Sequence, residues 1–282
     1  MSGDKFGVTR RQMLAAGGAM GIFALGSRGA SAAANGAQSA QVEKWIELFD
    51  GKTLAGWHKN PKKIVHGTGG VWEVEPGGVL AGHQDPPGSG NGGILLTDRK
   101  FGDFELSIDM KPAWGSDSGV FLRANDLGQG IQMTVDYYDG GNIGHLYGEA
   151  IGAWVARTYS LQGTVEGGKL VGLKTIEHQT PEAVGLVESC TPEEWLAAWK
   201  IDDWNTARIR VEGRPYPRVT TEINGLKVCE FDGATSKAEK YDRDEVHKLL
   251  GDEGSIVVQV HGGDRWPVGA KCRWRNIKVR EL

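Results

Sequence analysis

Phe104-Glu105-Leu106-Ser107-Ile108-Asp109-Met110 alternates apolar and polar side chains without a break. Successive side chains of an extended strand point to opposite faces, so this period of two predicts a strand with Phe104, Leu106, Ile108 and Met110 in a core. The same pattern continues outward along the chain. Ile131, Met133 and Val135 alternate with Gln132, Thr134 and Asp136; Ala207, Ile209 and Val211 with Thr206, Arg208 and Arg210; Ile256, Val258 and Val260 with Val257, Gln259 and His261. Shorter strands are expected over 45–49, 71–75, 78–82, 93–97, 119–124, 219–223 and 226–231. Asn224-Gly225 between two such runs is a two-residue hairpin signal. In the last strand the apolar parity slips between Trp274 and Ile277, which predicts a bulge at Arg275-Asn276.

Helix signals are few. Thr191-Pro192-Glu193-Glu194 offers an N-cap, a proline at the first helical position and acids in the first turn, so a short helix is expected to run to Trp199. A second is expected over 241–250. Residues 139–190 carry little strand patterning and are expected as long loops over one side of the molecule. Many short antiparallel strands, little helix and no repeat of blade length predict one all-β sandwich or barrel over 41–282. The 43 glycines among short apolar runs fit many turns, and the ten tryptophans suit either a core or platforms for sugar rings.

Residues 1–40 read as an address. Thr9-Arg10-Arg11-Gln12-Met13-Leu14 is a twin-arginine pattern, an apolar glycine-rich stretch runs from Met13 to Leu25, and Ala30-Ser31-Ala32 is a small-residue cleavage site. Export through the twin-arginine route to the periplasm or beyond is expected. No membrane anchor is expected after cleavage, because no cysteine follows the site and no later stretch is a transmembrane candidate. This segment carries Lys5, Arg10, Arg11 and Arg28 against Asp4, so the overall charge of −4 leaves the rest of the chain at −7, 28 cationic against 35 anionic groups. An acidic body argues against a nucleic-acid partner. The three cysteines, Cys190, Cys229 and Cys272, fit no zinc spacing; Cys229 and Cys272 fall in strand-like segments as buried small hydrophobes.

Five segments in order resemble the 3-keto-disaccharide hydrolase family. They are Ile46-Glu47-Leu48-Phe49-Asp50-Gly51-Lys52-Thr53-Leu54-Ala55-Gly56-Trp57; Phe101-Gly102-Asp103-Phe104-Glu105-Leu106; Ser118-Gly119-Val120-Phe121-Leu122-Arg123; Asp203-Trp204-Asn205-Thr206, leading to Asn224-Gly225; and Gln259-Val260-His261-Gly262, leading to Trp274-Arg275-Asn276-Ile277. The family's Tyr-Gly pair is matched by Tyr147-Gly148, while much of 139–200 around it departs from the pattern. The resemblance implies a concanavalin A-like jelly-roll sandwich with a saccharide on a concave sheet. It also implies cleavage of glycosides already oxidised at C3, by hydrolysis or by elimination and hydration, with no organic cofactor. A sugar 3-oxidoreductase would then supply the substrate.

Such chemistry needs a base for the acidified C2–H, a cation or donor for the enolate oxygen and an acid for the leaving oxygen. Gln132, Thr134 and Asp136 share one strand face, Phe121 and Arg123 another, and Gln259 and His261 a third. If all three faces line one groove, they bring together a cation, amides, a carboxylate and an imidazole. Asp136 is a candidate base or metal ligand, and equally a turn former before Tyr137-Tyr138-Asp139-Gly140. His145 and Glu149, flanking Tyr147, are a candidate acid–base pair or metal ligands, or else simply loop polarity, the reading the glycines at 144 and 148 favour. His261 is a candidate catalytic group at a strand end, or a structural histidine. Phe121, Arg123, Gln132, Tyr147 and Gln259 are candidate substrate contacts; Arg123 would serve the enolate or hydroxyls, or be a surface charge. A divalent metal on Asp136, His145 and Glu149 is left open. Trp57, Trp114 and Trp154 would stack on a sugar or fill the core, and Glu105 and Asp109 would face solvent or the groove rim. Two other classes compete: a non-catalytic lectin-like sandwich, and a glycosidase with paired carboxyl groups.

Overall fold

The alternating runs pair into two large antiparallel sheets and a separate hairpin. The computed structural model describes residues 44–60, 67–263 and 266–282; the twin-arginine segment and the boundary after residue 40 lie outside them. The nine-stranded sheet runs Glu188–Ser189, Leu226–Asp232, Arg218–Ile223, Asn205–Glu212, Phe104–Pro112, Cys272–Glu281, Val79–His83, Val71–Glu75, with Ile46–Glu47 also paired to Cys272–Glu281. The seven-stranded sheet runs Val155–Ala156, Ile143–Glu149, Gly130–Val135, Gly119–Ala124, Ser255–Val260, Gly93–Thr97, Trp57–Lys59. The chain is an all-β jelly-roll sandwich with two short α-helices among the described residues, Pro192–Ala198 and Arg243–Leu250.

The period-two sets meet between the sheets. Phe104, Leu106, Ile108, Met110, Ala207, Ile209 and Val211 from one side join Val120, Leu122, Ile131, Met133, Val135, Ile256, Val258 and Val260 from the other, all 0–1% exposed. Burying an aliphatic side chain contributes about 1.5–3 kcal/mol, so this layer carries most of the driving force. Trp57 and Trp154 belong to it: Trp57 donates to Leu48 O (2.6 Å), and Trp154 stacks on Phe231 at 5.0 Å. Trp114 packs edge-on against Tyr137. Cys229 and Cys272 are fully buried, and burial pushes both thiols up to about 12.

The outer face of the nine-stranded sheet is a charge ladder. Glu105 accepts from Arg280 (2.7 Å) beside Arg208, and Asp109 accepts from Thr206 and Asn276 (both 2.7 Å). Both acids therefore serve this face. Asn224 and Gly225 have φ of 52° and 85°, the left-handed pair that a two-residue hairpin needs. The Asn224 side chain accepts from Thr206 N–H and donates to Asn205 Oδ1, which explains why Asp203-Trp204-Asn205-Thr206 travels with the hairpin. The bulge lies where parity placed it, between Arg275 and Lys278 with Asn276 at φ 50°. Helix Pro192–Ala198 opens on a capping box between Thr191 and Glu194, and Arg243–Leu250 on Asp242.

Residues 139–190 are not long loops. They form Ile143–Glu149, Val155–Ala156 and the hairpin Tyr159–Glu166/Lys169–Glu177, plus Glu188–Ser189. Two causes hid them. The hairpin is largely exposed along its outer half, so no apolar alternation marks it. Its turn is Gly167-Gly168, a usable signal with φ of 55° and 79°. In Ile143–Glu149 a bulge breaks the period: Met133 pairs with Leu146 but Val135 with Ile143, leaving one extra residue beside Gly144 at φ 96°. The bulge carbonyl accepts from the buried Thr221 hydroxyl of the facing sheet (2.6 Å).

Candidate active site

The seven-stranded sheet turns its polar parity away from the core. Gln132 and Thr134 of Gly130–Val135 lie there, beside Tyr147 and Glu149 of the neighbouring strand, because Gln132 pairs with Tyr147 and Gly130 with Glu149. Gly119 permits this floor: a Cβ there would lie 2.0 Å from Gln132 Nε2. The Gln132 amide instead donates to Gln259 Oε1 (3.0 Å) and Ser118 O (3.3 Å). The resulting groove has a volume of about 260 Å³ and is lined by Asp117, Gln132, Asp136, Tyr138, Tyr147, Glu149, Arg157 and His261, among others.

Backbone pairing sets the central feature. Val135 N–H donates to Ser118 O and Tyr137 N–H to Ser116 O (both 2.9 Å), so Asp117 and Asp136 face each other across the ladder. Two carboxylates in that position repel unless they share a proton. Burial, the Asp117 charge and a hydrogen bond to Asp117 together hold the Asp136 carboxyl well above the usual carboxylate range, with Glu149 adding to the effect and Arg157 opposing it. One edge of Asp136 still faces the groove. His261 donates its backbone N–H to Asp117 O (3.1 Å), and its Nδ1 lies 3.9 Å from Asp117 Oδ2. Burial, then Glu149 and Asp136, pushes the Tyr147 phenol up, so it stays protonated.

The candidates do not all converge. Asp136, Glu149, His261, Gln132 and Tyr147 line the groove, and Gln259 supports its floor. Phe121 lies on the same sheet face but buried among Ile94, Leu96, Ala124 and Val257. Arg123 is turned away by a left-handed backbone (φ 50°) and is buried, donating to Gly102 O, Gly213 O and Asp103 Oδ1. It is a structural cation.

His145 is sealed in. Asn142 Nδ2 donates to Tyr159 O (2.8 Å), so Asn142 Oδ1 is the acceptor that faces His145 Nδ1 at 3.2 Å. The proton therefore sits on Nδ1, and Nε2 accepts from Ser189 (2.9 Å) or Thr158 (3.2 Å). Burial, followed by the nearby Arg157 charge, pulls this ring down to about 3. With both nitrogens engaged, the His145 ring lies outside the groove that Asp136 and Glu149 line. No cluster of three His, Cys, Asp or Glu suited to a metal occurs among the described residues. Trp57, Trp114 and Trp154 stay out of the groove, whose rings are Tyr138 and Tyr147.

Sequence reading missed Asp117, Tyr138 and Arg157. Asp117 was available by extending the odd-numbered parity of Gly119 and Phe121 back by two. The Tyr147-Gly148 pair also acquires a reason: Tyr147 enters the groove, and a Cβ on Gly148 would lie 2.2 Å from Trp154 Nε1.

The family model described as 3-keto-alpha-glucoside-1,2-lyase-like domain matches residues 44–280. A relative from Bacteroides thetaiotaomicron named 3-keto-disaccharide hydrolase is 33% identical over 259 residues, covering 86% of this chain and 79% of the relative. A solved structure from Parabacteroides distasonis, provisionally described as a glycosyl hydrolase, superposes with a TM-score of 0.49 at 24% identity, covering 85% of this chain and all of that one. The carbohydrate-binding module CBM66 from Bacillus subtilis superposes with a TM-score of 0.41 at 14% identity, covering 80% and 96%.

Proposed function

We propose what this chain does from one premise: it belongs to the 3-keto-alpha-glucoside-1,2-lyase-like domain family. It is a glycoside-cleaving enzyme that acts on sugars oxidised at C3, by elimination followed by hydration. The observation that carries this reading is the proton-sharing pair Asp117–Asp136 in a groove that also offers neutral donors. A C3 carbonyl acidifies C2–H, so one ionised and one protonated carboxyl suffice.

Asp117, left ionised by the shared proton, takes the C2 proton. The C2 electron pair forms the C1=C2 double bond while the C1–O bond breaks. Asp136 gives its proton to the departing oxygen, so it serves as the acid and not as the base its sequence position suggests. Charge building on the C3 oxygen is met by the Tyr147 hydroxyl and the Arg157 guanidinium. Water then adds to C1, giving its proton to Asp136 while Asp117 returns a proton to C2. The sum is hydrolysis, and the pair is reset. Gln132, held by Gln259, presents an amide for a sugar hydroxyl.

Incubation with a 3-keto glucoside and its unoxidised parent, with and without chelator, tests this. Cleavage of the keto form alone, through a detectable unsaturated intermediate, is expected. Saccharide binding without turnover of either would make the chain a binding module, and equal turnover of both would make it a conventional glycosidase. Loss of activity with chelator would show that the reaction needs a cation. Export by the N-terminal twin-arginine segment and supply of substrate by a sugar 3-oxidoreductase complete the proposal; periplasmic recovery lost on Arg10→Lys/Arg11→Lys checks the first.

A further inference from the structure

The groove has a neighbour at Arg157. A second lobe of about 480 Å³ opens on its far side, and Val155 and Arg157 line both lobes. The two differ in chemistry. The first holds Asp117, Asp136 and Glu149 with two tyrosines; the second has no Trp, Tyr or Phe and presents Arg157, Lys240, His178 and Gln179 against the single acid Glu239. A sugar-sized site without a stacking platform recognises its ligand through hydrogen bonds and charge.

The second lobe is held in place by its backbone. His178 N–H donates to Thr158 O (2.8 Å), and its Nε2 lies 2.8 Å from Ser160 Oγ. Lys240 sits in a left-handed conformation (φ 66°), its carbonyl packed on Gly152, where a Cβ would lie 2.8 Å away. The His178 ring and the Lys240 backbone are thus fixed at the cavity that Arg157 also lines.

We propose that this second lobe is the subsite for the leaving-group half of the substrate, and that it selects leaving groups bearing a carboxylate. The inference rests on reading the first lobe as the site of cleavage. The Asp117 and Glu149 carboxylates there repel an anion, while Arg157 and Lys240 attract one on the other side. Charge therefore fixes which half of a two-part substrate enters which lobe: the neutral 3-keto ring goes to the acid pair, the acidic half beyond Arg157.

The test compares two 3-keto glucosides with phenolic leaving groups of matched acidity, one carrying a carboxylate and one neutral. The exposed setting limits the attraction to about fivefold in kcat/KM in favour of the carboxylate at low salt. That preference shrinks as salt rises and collapses toward one in Lys240→Gln. The free carboxylated phenol is expected to bind the protein, by calorimetry, more weakly in Lys240→Gln. Cleavage of both substrates at equal rates overturns the inference and leaves the proposed reaction standing. Absence of any turnover with Lys240-dependent binding of the acid overturns the reaction and keeps the lobe. Absence of both overturns both.

Discussion

At the scale of single residues, the protonation states of two buried groups are the most testable features. Asp136 keeps its proton in the fold through a range where the unfolded chain, with a carboxyl near 3.8, has released it. Its contribution to stability therefore falls as pH rises above about 4 and through the folded value. Asp136→Asn, which replaces the carboxyl with a neutral group of the same shape, is expected to melt no lower than the parent at pH 7. The same change should cut turnover of an alkyl 3-keto glucoside by about 10²–10⁴-fold, and far less with a nitrophenyl leaving group, which departs unassisted. Asp117→Asn should fail on both substrates; equal damage to both by Asp136→Asn would remove its role as the acid. His145 titrates in the opposite sense. The unfolded ring takes a proton below about 6.5, the folded ring only near 3. Stability is therefore whole above 6.5 and lost as pH falls toward 3, by at most about 1.4 kcal/mol per pH unit. Denaturant midpoints measured from pH 7 to 4 should show this slope, and His145→Gln should flatten it. A flat profile in the parent would show that the ring is accessible to protons after all.

Elements explain both what the sequence disclosed and what it hid. Parity placed Gln132, Thr134 and Asp136 on one face because Gly130–Val135 is a regular strand with a buried side, where register is strongly specified. Parity misled at Arg123, since the last residues of its strand leave extended geometry and swing the guanidinium toward Gly102 and Gly213. It said nothing of His145, whose surroundings come from Thr158 and Ser189, 13 and 44 residues further on. Charge patterning could not single out Arg157, which matters only because Val155–Ala156 forms the edge of the sheet beside two cavities. The turn signals, by contrast, were local and sufficient. Asn224→Ala removes a residue tolerant of positive φ together with its bonds to Ala198, Asn205 and Thr206, and should cost about 2 kcal/mol by denaturant titration. Asn224→Gly keeps the conformation and should lose about half of that. Gly148→Ala drives a methyl into Trp154 and should destabilise by more than about 2 kcal/mol while lowering kcat, because the same strand carries Tyr147 and Glu149.

For the molecule as a whole, the two sheets share one continuous core, so the described sandwich should open as a unit. Cys229 and Cys272 sit in that core as unreactive thiols on different strands of the nine-stranded sheet. Both should label with a thiol reagent at one common rate in the native protein, set by global opening. Much faster labelling of either would reveal a local route into the core. The all-β sandwich-or-barrel class was legible from period-two patterning, since both sheets obey it, and the jelly roll from the family resemblance. The division into nine and seven strands was not, because the edge strands Ile46–Glu47, Val155–Ala156 and Glu188–Ser189 have only two residues each and no period to read.

The extra residue beside Gly144 makes chain length itself a constraint on the groove. It lets Ile143 and Leu146 both reach the core while Tyr147 and Glu149 stay on the groove side. Deleting one codon there would restore an unbroken ladder and turn one end of the strand inside out, so frame-preserving deletions near 144 should be rejected in any library. The Gly167-Gly168 turn faces open space, with nothing within 4 Å of an added Cβ. Inserted tags or whole domains should be accepted there, which makes it the place to build a fusion that leaves the acid pair undisturbed.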